Sequence, residues 1–118
     1  MKTHTRSLIL LVTVLSIASL QVFGEKQPVT DQRAAAQKSM KQGNWKEAYN
    51  KLRVLVLDKS NKGLPAGRDL TDAIRCLNNL GRYKEFDELV ESGIAAHKKD
   101  WHFLGRVHRI FLFFRCRE

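Results

Sequence analysis

Cysteine, proline and acidic residues are all scarce in this 118-residue sequence, and each scarcity excludes something. Cys76 and Cys116 are the only thiols. Two are too few for a disulfide framework, and no Cys-x-x-Cys or His-Glu-x-x-His pattern suggests zinc. The histidines after the N-terminal segment, His97, His102 and His108, do not stand four apart on a helix, so they form no metal-ligand pair. Pro28 and Pro65 are the only prolines, which excludes a proline-rich stalk. Ser39 and Ser92 lack a Gly-x-Ser-x-Gly elbow, so no hydrolase triad is supported. The stretch Gly63-Leu64-Pro65-Ala66-Gly67-Arg68-Asp69 has the wrong glycine spacing for a phosphate loop and lacks its Lys-Ser/Thr pair. No segment alternates apolar and polar residues for long enough to form a sheet. An enzyme, a cofactor, a metal and a small-molecule substrate are therefore not expected.

The N-terminus carries what the rest lacks, a concentrated apolar run. Lys2 and Arg6 precede the run from Leu8 through Ala18, and Ser19 to Gly24 then lead into the charged Glu25-Lys26. A basic start, a short apolar middle and small residues before a polar sequence form the pattern of a secretory signal peptide. Cleavage is expected after Gly24, giving a signal peptide at 1–24, a linker at 25–30 and an exported (periplasmic or secreted) chain. An uncleaved membrane anchor is the alternative. The run is shorter than the roughly 20 apolar residues of a spanning helix, and Thr13, Ser16, Ser19 and Gln21 dilute it.

This division changes the meaning of the charge. The whole chain has 21 Lys+Arg against 12 Asp+Glu and a net charge of +9. Residues 25–96 are nearly balanced, and the basic excess gathers in 97–118. Phosphate-rich nucleic acid is consequently not expected as a partner, whereas acidic proteins or an anionic membrane surface are.

Helical periodicity runs through the rest. Thr30 or Asp31 can cap a helix over Gln32–Lys41, which Gly43 ends. Asn44, with Glu47 three residues on, resembles a capping box for a second helix. There Trp45, Ala48, Tyr49, Leu52, Leu55 and Val56 share one apolar face. Asp58 to Gly67 reads as a loop. A third helix from about Arg68 carries Leu70, Ala73, Ile74, Leu77 and Leu80 to Gly81, and a fourth begins near Arg82. Asp100 can cap a fifth at Trp101. Trp45, Tyr49, Leu52, Leu77, Tyr83, Phe86 and Val90 are the expected core. Asp87, Glu88 and Glu91 fall on the outer face, with Lys84 and Glu88 four apart. Cys76 flanks the apolar stripe; an oxidising destination permits pairing with Cys116, and a small buried side chain is the other reading.

Gly43-Asn44-Trp45-Lys46-Glu47-Ala48 and Gly81-Arg82-Tyr83-Lys84-Glu85-Phe86 repeat one pattern: glycine, polar, aromatic, lysine, glutamate, core residue. This resembles the tetratricopeptide repeat, in which a turn glycine is followed by an aromatic and then a small residue. Phe86 departs from it by standing where the small residue is expected. The resemblance covers residues 31–98 and implies an all-α pair of tandem antiparallel helical hairpins serving as a protein-binding scaffold. The signal segment, Gly43 to Tyr49, Leu77-Asn78-Asn79-Leu80-Gly81-Arg82 and His97-Lys98-Lys99-Asp100-Trp101 together are similar to the helical start of large exported bacterial alpha-2-macroglobulin-like proteins. Nothing corresponds to that family's thioester motif or bait region, so the resemblance implies no activity. It implies instead a truncated or split reading frame of a larger secreted protein.

Residues 99–118 form the expected basic, aromatic fifth helix. Trp101, Phe103, Phe111, Phe113 and Phe114 are interleaved with Arg106, Arg109 and Arg115, the set expected to touch a membrane or partner. The reading is an exported, non-catalytic interaction module, with a peripheral membrane module acting through this helix as the alternative.

Overall fold

The computed structural model describes residues 27–115, with side chains through Phe113. The expected signal segment 1–24, its cleavage after Gly24, and Cys116 lie outside the described residues. Over those residues the chain is all-α. Helices α1 (Val29–Lys41), α2 (Trp45–Leu57), α3 (Gly63–Leu80), α4 (Phe86–Ala96) and α5 (Trp101–Arg115) are joined by short connections, with one 3-10 turn at Tyr83–Glu85. None of these helices is long and apolar enough to cross a membrane.

The two glycine turns are built alike. Gly43 and Gly81 both take left-handed φ, 75° and 67°, where a side chain would be strained. Asn44 N–H reaches Ser39 C=O at 2.9 Å, and Arg82 N–H reaches Leu77 C=O at 3.0 Å. Gly43 N–H bonds Met40 C=O at 3.0 Å and Gly81 N–H bonds Asn78 C=O at 3.2 Å, so both helices end in the same Schellman-like closure. The next residues also match: Asn44 at φ −81°, ψ 63° and Arg82 at φ −94°, ψ 50°. The helices that follow diverge. Ala48 is small and fully buried, whereas Phe86 is half-buried and meets the edge of Phe111 at 6.1 Å.

Several boundaries and contacts differ from expectation. Helix α1 starts at Val29, and Pro28 precedes it with no side-chain cap; the Pro28 carbonyl accepts from Asp31 and Gln32 N–H instead. Asn44 makes no side-chain capping bond, so the expected capping box does not form, whereas Glu47 does pair with Lys51, as their spacing of four on a helix leads one to expect. Helix α3 begins at Gly63, inside the expected loop. Pro65 is tolerated in its first turn because that turn's N–H groups have no intrahelical acceptor. Tyr83 is not core: the 3-10 turn leaves it 65% exposed. Glu88 takes Arg53 across to α2 at 3.1 Å, in place of the expected intrahelical Lys84 pair.

One continuous core joins the elements. Ala36, Ala48, Leu52, Leu55, Leu70, Ala73, Leu77 and Val90 are buried in it, and α2 packs on both α1 and α3. Helix α4 leans on α2, while α5 packs mainly on α3. Small residues allow these approaches. A Cβ on Gly67 would stand 3.0 Å from Arg106 Cβ, and one on Gly93 only 2.9 Å from Phe103 Cζ.

Candidate interaction groove

Helix α5 is fixed from its first residue. The Asp100 carboxylate accepts from His102 N–H at 3.1 Å and Phe103 N–H at 3.2 Å through one oxygen, and from Gly63 N–H at 2.5 Å through the other. One side chain thereby satisfies donors at the starts of both α3 and α5. Burial opposes ionisation of Asp100, but these three N–H donors outweigh it and hold the carboxyl below its ordinary range. The helix then sends Phe103 and Val107 into the core. Phe103 stacks on the buried His97 ring at 4.3 Å. His97 Nε2 lies 2.8 Å from Val56 C=O; a carbonyl only accepts, so Nε2 carries the proton.

This geometry sorts the residues expected at a surface. Phe103 is a correction: it is fully buried because Gly93 vacates the space its ring fills. Trp101 is 73% exposed and stacks on His102, away from the more distal aromatics. Phe111 and Phe113 remain exposed, together with Leu112. Arg106 is half-buried over Gly67, and Arg109 is exposed. The side chains of Phe114 and Arg115 lie outside those described.

Arg106, Arg109, Ile110 and Phe113 face Thr71, Ile74, Arg75 and Asn78 of α3 across an open groove of about 320 Å³. Its floor is apolar, formed by Ile74, Ile110 and Phe113, and its rim carries three arginines with no carboxylate in the lining. Asp72, beside the groove, approaches Arg75 at 3.7 Å. A second concavity of about 370 Å³ lies where α3 and α5 begin, among Lys59, Lys62, Lys99 and His102. Its helix N–H groups are already engaged by Asp100, so the chain supplies its own anion there.

The structure also reveals a polar cluster that the sequence reading missed. Asp69 is buried on α3 and binds Arg33 of α1 by two bonds, Nε to Oδ1 at 2.8 Å and Nη2 to Oδ2 at 2.7 Å. Asn61 completes it, donating to Asp69 Oδ2 at 2.8 Å and Leu55 C=O at 2.9 Å while accepting from Arg33 Nη2 at 2.9 Å. Every donor and acceptor named here is matched, so the cluster serves as a clasp with no free group for chemistry. The sequence signal was Asp69 itself, three residues after Ala66 and four before Ala73 on the buried stripe. Among the described residues, no group of three or more His, Cys, Asp or Glu side chains could hold a metal ion.

No comparison identifies the chain. The sequence matches no protein-family profile, and neither curated proteins nor solved structures yield a significant match. The groove must therefore be read from its own chemistry.

Proposed function

We propose that the chain is an exported, non-catalytic helical-repeat module that binds another protein. In this reading α1–α2 and α3–α4 are two tandem tetratricopeptide-like antiparallel hairpins, and α5 packs on the second as the next helix of the array. The observation that carries it is the open apolar groove between α3 and α5, a shape suited to a partner segment. The duplicated closure at Gly43 and Gly81 supports the repeat reading. Export rests on the sequence of residues 1–24, and the likeness to alpha-2-macroglobulin-like proteins adds a secreted scaffold setting without assigning any residue a chemical role.

The test is selection of helical peptides from a displayed library on the full chain, with heat-denatured chain as the control bait. The expected result is an enriched set that binds saturably and competes for one site. Failure to enrich any sequence above the control refutes the protein-binding reading. The membrane alternative draws on the exposed Phe111, Leu112 and Phe113 near Arg109. It gains support only if anionic vesicles bind where peptides do not.

A further inference from the structure

We propose that the groove between α3 and α5 seats an amphipathic helix whose apolar stripe is flanked by acidic residues. This rests on the protein-binding reading and names both the site and the partner's chemistry. Thr71 to Asn78 on α3 and Arg106 to Phe113 on α5 each span two turns, roughly 10 Å along a helix. A helix laid between them contacts the floor with residues at i, i+3 or i+4, and i+7, the spacing of helix-in-groove recognition. Ile74 is buried and Ile110 half-buried, so a ligand must insert side chains to reach them. A planar lipid surface meets the rim first, whereas the ridge of a helix enters.

Charge selects among helices. Arg75, Arg106 and Arg109 surround the floor, and arginine's planar fork favours carboxylates on the incoming flanks. A basic helix would bring like charges together over a partly apolar surface, which is unfavourable. A second copy docking through the same groove would oppose its arginines to these three, so self-pairing through this face is disfavoured.

The probe is a fluorescein-labelled synthetic helix with leucines at i, i+4, i+7 and i+11 and glutamates on both flanks. Its control carries lysine at every glutamate. Fluorescence polarisation with the full chain is expected to show saturable binding of the acidic peptide, at least tenfold tighter than the basic one and weakening with added salt. Arg75→Glu/Arg109→Glu, both at exposed side chains, is expected to weaken binding at least tenfold with unchanged far-UV circular dichroism. Phe113→Ser is expected to weaken it several-fold, while Lys98→Glu, outside the groove, is expected to have no effect. Equal binding of both peptides, or binding indifferent to the arginine reversals, overturns the proposal. Phosphatidylserine vesicles that bind when the acidic peptide does not also overturn it. If library-selected peptides bind but ignore the groove variants, the binding module stands and this site falls. If no peptide binds at all, the module reading falls with it.

Discussion

Asp69→Ala tests most severely how the helices are held in register. The wild-type carboxylate is 1% exposed and receives three bonds of 2.7 to 2.8 Å, two from Arg33 and one from Asn61. Removing it leaves the guanidinium facing a cavity and Asn61 with one donor bond to Leu55. Breaking a buried ion pair from one side costs about 3–5 kcal/mol. Arg33 retains 21% exposure and can regain some water, which places this case near the lower end, about 3 kcal/mol. For a domain of this size that lowers Tm by about 12–24 °C. Arg33→Met is expected to cost more, because the charge left behind is then the fully enclosed carboxylate. The double variant Arg33→Met/Asp69→Ala should fall short of the sum of the singles by more than about 1 kcal/mol. Urea denaturation followed by circular dichroism measures all three. A loss under about 0.5 kcal/mol for Asp69→Ala, or strict additivity, refutes the clasp.

Three further outcomes follow from local geometry. Gly93→Ala gains up to about 1 kcal/mol of helix propensity but drives a methyl against Phe103 and Val56, at about 1–3 kcal/mol. Net destabilisation in thermal melts is expected, and a more stable variant contradicts the packing. Asp100→Ala is expected to cost about 1–2 kcal/mol through the lost caps. The Asp100 carboxyl is held below its ordinary range, so its stabilisation is complete above the unfolded pKa of about 4. It is lost as pH falls through the lower folded value, so the gap between wild type and Asp100→Ala must narrow on acidification; a widening gap contradicts it. Burial, with Asp72 adding to it, pushes the Cys76 thiol up to about 11. In a Cys116→Ser background, native Cys76 should react with a disulfide reagent at pH 8 far more slowly than the urea-unfolded chain, and equal rates would show an accessible thiol.

The sequence declared its helices through periodicity and its turns through Gly43 and Gly81, because both signals are local. It concealed features that depend on distant partners. Pro65 suggests a loop when read alone, yet the first helical turn lacks intrahelical acceptors for its N–H groups, so α3 absorbs it. Tyr83 copies Trp45 in the motif, but the bulk of Phe86 accompanies a 3-10 start that leaves the tyrosine outside. Asp69 occupies an apolar-stripe position, and only the return of Arg33 and Asn61 explains a charge there. The groove was half-legible: the aromatic and arginine content of α5 marked that helix, while nothing local in the sequence ties Ile74 of the α3 stripe, or its neighbour Arg75, to it.

The same anchoring residues bear on both proposed uses of α5. A helix that lies in a membrane surface presents its broadest apolar face outward. Here that face is directed inward: Phe103 and Val107 are core, and Ile110 packs against it. Peeling α5 away to reverse it would expose Phe103 and Val107 at about 1.5–3 kcal/mol each and break the hydrogen bond from Gly63 N–H to Asp100. With α5 in place, its exposed large apolar side chains among the described residues are Trp101 at its start and Phe111, Leu112 and Phe113 about three turns on. Of that end, Phe113 turns with the half-buried Ile110 toward Ile74 and the arginines of the groove, where a second helix would cover them.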